Sequence, residues 1–419
     1  MSIQKIIGNR FVKNALSLFS ATLFAQIIAF ASSPFLTRIY NPDEFGQYSF
    51  YISTCALLIV FTTGRYEYAI NTVKSQKESQ LLFKLVIITS LIFSLLLFIA
   101  ELFYYGKISQ WFNSKNANIL MYFIPLTLLV MGVIQGLNYL LNRNKQFGVI
   151  SKGKVLQSSI TNGSSIIFGL SGLNSIGLVL SNLIGITLSL IYQFFKVKHS
   201  ELINLYNIKY KQIYKVAIKN KEYPLLNSFS AFFDNLATQA PVFILMKFFT
   251  ESIVGFYSLA VRVIGMPISL ISTAITQVFF SEIADLNNEG KSINPLLLRV
   301  LKILCLIGII PTILLVLLGP VVFEIIFGYD WRKAGEITSI LAFGFFAKFV
   351  VSPLSVIFYI KKRVKLLSKI QVFRAITSVL VLFICAYYLD IYTLLIIFTS
   401  YEFVFYIVYL FFIFSISKK

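Results

Sequence analysis

The chain has 419 residues, of which 57% are hydrophobic and 16% aromatic, and its formal net charge is +20. A single histidine and three cysteines provide no cluster of metal ligands or disulfide framework, which argues against metal catalysis, and no cofactor is expected. The first apolar run is long enough to span a bilayer and follows a polar, basic start, so no cleavable signal peptide is expected.

Apolar runs of spanning length occupy most of the chain. A bilayer core about 30 Å thick requires roughly 20 apolar residues in a helix, which rises 1.5 Å per residue. Twelve runs satisfy this length, at 14–36, 45–64, 81–103, 118–140, 155–172, 175–195, 224–248, 253–279, 300–319, 336–359, 370–389 and 391–415. The fifth run is rich in serine and glycine, which suits close helix packing. The sequence therefore predicts an all-α integral membrane protein with twelve transmembrane helices.

Lysine and arginine fall mainly in every second gap between these runs. About 29 of the 37 basic residues lie on one side, and the two most basic gaps on that side hold seven at 196–221 and six at 361–374. The positive-inside rule then places both termini in the cytoplasm. Because this orientation and anionic lipid account for the charge, nucleic acid is not expected as a partner.

The two halves of the chain show a weak internal repeat. The segment RIYNPDEFGQYSF (38–50) aligns without gaps on KFFTESIVGFYSL (247–259), and each copy follows a proline, Pro34 or Pro241. The repeat predicts two six-helix bundles, residues 1–208 and 209–419, related by a pseudo-two-fold axis along the membrane normal. Such an arrangement leaves a cleft between the bundles.

Charged and polar side chains inside the apolar runs are candidates for lining that cleft. A charge at a helix centre costs roughly 2.5 to 3.5 kcal/mol on insertion scales, so it is retained where it meets water or a partner. Arg262 and Lys348 are the basic candidates, Asp234 and Glu402 the acidic ones, and Arg65 with Glu67 forms a candidate inner gate. Helix packing and an ion pair between Asp234 and Arg262 are the competing structural explanations.

Several longer motifs resemble those of the polysaccharide-repeat-unit flippases. These are LTRIYNPDEFGQYSF, GRYEYAI, QAPVFILMKFF, GFYSLAVRVIGMPISLISTAITQVFFSE, WRKAGE and VSPLSVIF, which together span nearly the full chain. The resemblance implies the fold shared by multidrug exporters and the lipid II flippase. It also implies a substrate, an oligosaccharide linked through pyrophosphate to undecaprenol, and ion or proton antiport. Arg262 matches a basic position on the eighth helix of such transporters.

These observations predict a flippase for O-antigen or capsule biosynthesis in the bacterial cytoplasmic membrane, functional as a monomer. A cationic cavity would bind the pyrophosphate, and amides would bind sugars. The candidate substrate-binding residues are Arg262, Lys348, Arg38, Lys247, Asn227, Gln239, Gln277 and Gln26. Asp234 and Glu402 are the candidates for ion coupling. Membrane lipids, a polysaccharide polymerase and a chain-length regulator are the expected partners.

Three other functions remain open from the sequence. A drug exporter of the same fold would be expected to carry a more acidic cavity, since its substrates are mostly cationic. A polymerase or membrane glycosyltransferase would require a large outer loop, whereas the longest outer segments run only from about 104 to 117 and from 320 to 335. An inactive scaffold for the assembly complex is the third alternative.

Overall fold

A computed structural model of the protein describes residues 10–104, 117–198 and 210–417. Within these ranges twelve helices have 20 residues or more, and we number them α1–α12 in chain order. They are α1 Arg10–Ile39, α2 Pro42–Thr62, α3 Gln76–Phe103, α4 Ile124–Arg143, α5 Phe147–Leu170, α6 Asn174–Lys198, α7 Ser228–Phe248, α8 Glu251–Asn288, α9 Asn294–Phe327, α10 Arg332–Val351, α11 Val364–Tyr388 and α12 Ile391–Ser417. Short helices occupy Tyr66–Thr72, Ala117–Met121, Tyr210–Lys219 and Ile357–Ile360, with a π-helix at Tyr223–Asn227 and 3-10 helices at Tyr329–Trp331 and Ser352–Val356.

The helices are those of an integral membrane protein. Ten of the long helices in the described ranges are both long enough and apolar enough to cross a bilayer. The other two, α5 and α7, have spanning lengths of 24 and 21 residues, but serine, asparagine and charged residues interrupt their apolar character. The predicted all-α membrane fold with twelve long helices in two bundles is therefore confirmed.

Several helix boundaries differ from the predicted spans. Helix α9 continues to Phe327 and α10 begins at Arg332, so the predicted outer segment 320–335 is mostly helical. Helix α11 begins at Val364, six residues before the predicted span, because the tight turn before it ends the preceding helix at Ile360. Arg374, which the sequence assigns to the cytoplasmic gap, therefore lies in the eleventh position of α11. The other long outer segment falls largely on residues 105–116, outside the described ranges.

The contacts divide the chain into two compact units. The N-terminal unit comprises Met1–Tyr40 and Gln47–Asn235, and the C-terminal unit comprises Asn41–Gly46 and Leu236–Lys419. The predicted boundary between residues 208 and 209 falls outside the described ranges and stays a prediction. The contacts between residues place the main division after Asn235. They also assign the first residues of α2 to the C-terminal unit.

In the N-terminal unit, the short helix Tyr66–Thr72 packs its buried face into an apolar core that includes α3, α4 and the helix Tyr210–Lys219. Arg143, at the end of α4, donates to the carbonyl oxygens of Ile70 and Lys74 at 2.9 and 3.0 Å, and to that of Val73. A guanidinium placed there satisfies carbonyls at a helix C-terminus that lack partners within the helix.

Helices α1 and α5 pack closely within the same unit. The Ser158 hydroxyl donates to the Ala25 carbonyl at 2.7 Å, and the Tyr40 hydroxyl donates to the Ser165 carbonyl at 2.7 Å. The small side chains of α5 let the two backbones approach, as in membrane helix pairs generally. The serine-rich fifth helix thus has a packing role.

In the C-terminal unit, the apolar core is formed by α8, the start of α9, α10 and α12. Helix α10 ends at Val351, just before Ser352 and Pro353. Ser352 keeps helical backbone (φ −56°, ψ −43°), but Pro353 has no backbone N–H to donate, so the α-helical hydrogen-bond pattern ends here. The chain then continues through a 3-10 turn to the basic segment that precedes α11.

Candidate functional site

The two copies of the internal repeat begin their helices in the same way. Asn41 caps α2, since its side-chain oxygen accepts from the backbone N–H of Glu44 at 2.9 Å, and the Glu44 carboxylate accepts from the Asn41 N–H at 2.8 Å. At the equivalent position, 209 residues later, Thr250 caps α8 by accepting from the N–H of Ile253 at 3.4 Å. Each copy thus places a capping side chain immediately before its helix.

The repeat copies also contact each other within the C-terminal unit, equivalent residue against equivalent residue. The Ser252 hydroxyl donates a hydrogen bond to the Asp43 carboxylate. A Cβ atom on Gly46 would overlap the carbonyl of Glu251, and a Cβ atom on Gly255 would overlap the carbonyl of Pro42. Since 43 matches 252, 46 matches 255 and 42 matches 251 in the alignment, the contact is reciprocal. This reciprocity supports the internal duplication.

A buried tryptophan packs beside the contact between the two repeat copies. Trp331 is 1% exposed, and its ring lies edge-on to Phe45 and Phe256, at centroid separations of 4.9 and 5.9 Å. Aromatic rings packed edge-to-face contribute about 0.5–1.5 kcal/mol beyond their area burial. The WRKAGE motif therefore has a structural role next to the repeat contact.

The clearest charged site in the C-terminal unit joins α11 to α12. The Arg374 guanidinium donates to both carboxylate oxygens of Glu402, at 2.7 Å from Nη2 and 3.3 Å from Nε. It also lies over the rings of Phe405 and Tyr406, 5.6 and 5.1 Å from their centroids. The side chains of Arg374 and Glu402 are 24% and 11% exposed. The two residues therefore form a largely desolvated, bidentate ion pair.

This ion pair changes the interpretation of two residues. The sequence count places Arg374 with the cytoplasmic gap, at the edge of the predicted run 370–389, and this placement was wrong because Arg374 lies inside α11. Glu402, predicted to couple ions, already has a counter-charge. One signal in the sequence could have revealed the pair. Arg374 is a single basic residue that follows the lysine-rich turn, and the next helix carries Glu402 at its centre. The sequence alone does not show which face of α11 or α12 is turned toward the other helix.

Arg65 and Glu67, the predicted inner gate, lie at the start of the short helix in the N-terminal unit. Arg65 has left-handed backbone (φ 58°) and donates to the Tyr68 hydroxyl at 2.8 Å. Glu67 is 0% exposed and accepts from the Gln135 side chain at 3.0 Å, while its other carboxylate oxygen has no hydrogen-bond partner among the described residues. Burial raises the pKa of Glu67 above its ordinary value, and nearby Thr63 and Arg65 lower it by less.

Arg65 and Glu67 thus have different partners and do not form an ion pair with each other in the described part of the chain. A gate made by their mutual pairing is not present in this conformation. A gating role for either residue stays a prediction.

The other predicted site residues of the N-terminal unit lie on α1, on α7 and in the π-helix before α7. Arg38 is exposed in the last turn of α1 and donates to the Pro34 carbonyl at 2.8 Å. Gln26 is half-buried, and its side-chain oxygen has no hydrogen-bond partner among the described residues. Asn227 and Asp234 are exposed. Burying an amide oxygen without a hydrogen bond costs free energy, so the Gln26 side chain is a suitable partner for a polar ligand.

The remaining predicted site residues belong to the C-terminal unit. Lys247, Arg262 and Lys348 are half-buried, on α7, α8 and α10 respectively. The Lys348 ammonium lies 5.7 Å from the centroid of the Phe345 ring. Gln239 is half-buried and Gln277 is exposed. On α8 the hydroxyls of Ser258 and Ser272 are buried without a hydrogen-bond partner among the described residues, so the helix that carries Arg262 has unused polar groups.

Comparison with known proteins identifies the family and the fold. The family model described as "Polysaccharide biosynthesis protein" matches residues 35–336. A search of the curated proteins finds no match. Two solved structures are similar over 97% of the chain, an inward-facing multidrug resistance MATE family transporter of the MOP superfamily (TM-score 0.74, 15% identity, 99% of its chain covered) and the lipid II flippase MurJ in an inward closed conformation (0.73, 17%, 90%).

A mutant of the MATE transporter VcmN from Vibrio cholerae is also similar, with a TM-score of 0.59 and 10% identity over 97% of this chain and 95% of that one. At these identities the similarity establishes the fold alone. The family model covers most of the chain and agrees with the resemblance carried by its motifs. The chain therefore belongs to the family described as "Polysaccharide biosynthesis protein".

Proposed function

We propose that the protein moves undecaprenyl-pyrophosphate-linked oligosaccharide repeat units from the inner to the outer leaflet of the bacterial cytoplasmic membrane. The observation that carries this proposal is the presence of basic side chains, Arg262 and Lys348, within membrane-length helices of a chain from the polysaccharide biosynthesis family. A fold similar to that of the lipid II flippase MurJ is consistent with a lipid-linked substrate.

The chemistry of the substrate matches the residue types available. A pyrophosphate that leaves bulk water needs cationic hydrogen-bond donors, which Arg262, Lys348, Arg38 and Lys247 would provide. The sugars need amide and hydroxyl partners. Gln26, Asn227, Gln239 and Gln277 supply amides, and of these the Gln26 oxygen is buried without a partner in the described residues. The polyprenyl tail can remain in the bilayer while the head group crosses between the two halves.

Ion coupling is assigned mainly to Asp234. A coupling carboxylate must change its protonation or ion occupancy between conformations. Glu402 is held by Arg374 at 2.7 Å, which would oppose such a change. Asp234 is exposed on α7, so an ion can reach its carboxylate. Alternating access would then expose it to the two sides of the membrane in turn.

The topology and partners follow from the same proposal. Both termini would be cytoplasmic by the positive-inside rule, and the product would be O-antigen or capsule. A polysaccharide polymerase and a chain-length regulator would act on the exported units. The functional halves would be residues 1–208 and 209–419, in a single chain that works as a monomer without enzymatic chemistry of its own.

A leaflet-specific assay tests this function. Cells lacking the protein should accumulate lipid-linked oligosaccharide that is inaccessible to an impermeant label added outside, and wild-type protein should restore labelling. Purified protein in proteoliposomes should also move a fluorescent lipid-linked oligosaccharide to the leaflet where dithionite quenches it. Wild-type labelling in the deleted strain, with no flipping in proteoliposomes, would refute the proposal.

The similarity to a multidrug MATE transporter supports one alternative, a drug exporter. In that case deletion should sensitise cells to cationic drugs and leave the lipid-linked oligosaccharide evenly labelled. The charged side chains within the apolar stretches of α8 and α10, Arg262 and Lys348, are basic rather than acidic, which favours an anionic substrate instead. The same two strains therefore distinguish the two functions.

A further inference from the structure

A cationic cavity lies where the segment before α11 meets the end of α12, within the C-terminal unit. Its volume is about 820 Å³, which lies within the usual range of ligand sites. Five basic side chains line it: Lys361, Lys362, Arg363, Lys365 and Lys369. The opposite wall contains apolar side chains of α12, Phe412 and Ile416. The site is separate from the residues assigned to transport.

The backbone that carries these charges is held in a defined turn. The N–H of Arg363 donates to the Phe358 carbonyl at 2.7 Å, and that of Lys361 donates to the Ile357 carbonyl at 2.9 Å. Lys362 has left-handed backbone, with φ 54°. A turn with these bonds presents its side chains from fixed positions, which reduces the entropy lost when a ligand binds.

The five cations have no acidic partner among the described residues. No carboxylate lines the cavity, and none of the five forms an ion pair with a residue in the described ranges. The positive-inside rule explains why a segment at the membrane surface is basic. It does not explain why five cations should converge on one cavity that has an apolar wall.

That combination fits an amphipathic anion. Phosphate groups need clustered Lys and Arg donors, and clusters of four to eight such residues next to a membrane helix attract anionic lipids. Phe412 is 37% exposed beside the cations and can contact an acyl chain. A soluble phosphate would use the charges and leave this apolar wall unused.

We propose that this cavity binds the phosphate head group of an anionic membrane phospholipid, with an acyl chain along α12. The lipid would neutralise the basic segment and join the ends of α11 and α12 at the membrane surface. The site is independent of the proposed flipping reaction, and its test requires no transport.

Lipid binding to the purified full chain in neutral detergent tests the proposal. Phosphatidylglycerol and cardiolipin are the anionic probes, and phosphatidylcholine is the neutral one, with bound lipid measured by native mass spectrometry. We expect the anionic lipids to bind preferentially. The triple variant K361Q/K362Q/K365Q should weaken their binding by roughly 100-fold, since each basic residue near a membrane surface contributes about 1 kcal/mol and every 1.4 kcal/mol is a factor of ten.

A matched variant controls for the loss of charge. K196Q/K211Q/K215Q removes three exposed lysines from the N-terminal unit and should leave the binding unchanged. Equal weakening in both triple variants would show a general charge effect and overturn the proposal. Equal binding of phosphatidylcholine by the wild type would also overturn it. The single variant K365Q, which changes one exposed residue, should give an intermediate loss in a folded protein.

Inorganic pyrophosphate distinguishes a lipid from a soluble anion. We expect millimolar pyrophosphate to compete weakly with bound phosphatidylglycerol, because it gains nothing from the apolar wall. The variant F412S should weaken phosphatidylglycerol binding and leave pyrophosphate binding unchanged. Displacement of the lipid by an equal concentration of pyrophosphate would identify the cavity as a soluble-phosphate site and refute the assignment to lipid.

Discussion

Gly46 and Gly255 face each other at the centre of the repeat contact, and a Cβ atom on Gly46 would lie 3.2 Å from the backbone nitrogen of Gly255 as well as overlapping the Glu251 carbonyl. The backbones of α2 and α8 therefore touch where the two copies of the motif cross. No other residue type fits this approach without displacing main chain, which explains why both copies of the motif carry glycine here.

Replacing either of these glycines by alanine should destabilise the protein by at least about 2 kcal/mol, because the obstructing atoms are backbone and cannot rotate away. Thermal unfolding of G46A and G255A in detergent measures the loss. Gly265 on the same helix α8 is the matched control, since a Cβ atom there would meet nothing within 4 Å. G265A should be neutral or stabilising. Equal melting temperatures for G255A and G265A would contradict the close approach.

Removing one member of the Arg374–Glu402 pair should cost roughly 3 kcal/mol, because the remaining charge stays in a desolvated site. R374Q and E402Q should each lower thermal stability. The double variant should recover part of the loss, so the double-mutant cycle should show favourable coupling. The exposed pair Lys291–Glu289, at 2.7 Å with side chains 67% and 55% exposed, is the control. K291Q should cost less than about 1 kcal/mol.

The stability of the N-terminal unit should depend on pH through Glu67. Burial raises the pKa of this carboxyl, so the folded state holds its proton more tightly than the unfolded state. Its contribution to stability is therefore fully present below the unfolded pKa of about 4.3 and is lost as the pH rises through the higher folded pKa. E67Q keeps an acceptor for Gln135 and should remove this part of the pH dependence. An unchanged pH profile of the melting temperature would show that the buried carboxyl does not contribute.

The basic residues assigned to the substrate should matter for export and little for folding. R262Q and K348Q should each reduce flipping of lipid-linked oligosaccharide at least about tenfold, since a cationic hydrogen-bond donor to pyrophosphate is lost. Lys333 is exposed in the first turn of α10, the helix that carries Lys348, and K333Q is the matched control. Wild-type flipping in both R262Q and K348Q would refute the cationic cavity.

Asp234 should be required for coupling and dispensable for the fold. D234N preserves the shape of this exposed side chain, so the protein should keep its melting temperature but lose flipping driven by an ion gradient. Adding N227D to D234N places a carboxylate at another exposed position near α7. We expect that this double variant does not recover ion-driven flipping. Gradient-dependent flipping at the wild-type rate in D234N would assign the coupling elsewhere.

The sequence by itself determined the class of the protein, because membrane insertion depends on the length and apolarity of local segments. Twelve spanning runs and the gapless alignment of 38–50 on 247–259 were readable for that reason. The capping residues Asn41 and Thr250 are also local features. The start of α11 was not readable, because hydrophobicity marks the membrane core of a helix, whereas the turn at residues 361–363 marks its beginning.

Only the tertiary structure decided which side chains meet. Arg374 and Glu402 are 28 residues apart on separate helices, and their pairing depends on the rotation of both. The reciprocal contact of Gly46 with Gly255 requires two segments 209 residues apart to cross at one point. The cationic cavity likewise joins residues 361–369, at the start of α11, to Phe412 and Ile416 near the end of α12. Such contacts arise from helix packing, whose angles and rotations are determined by the complete set of neighbouring side chains.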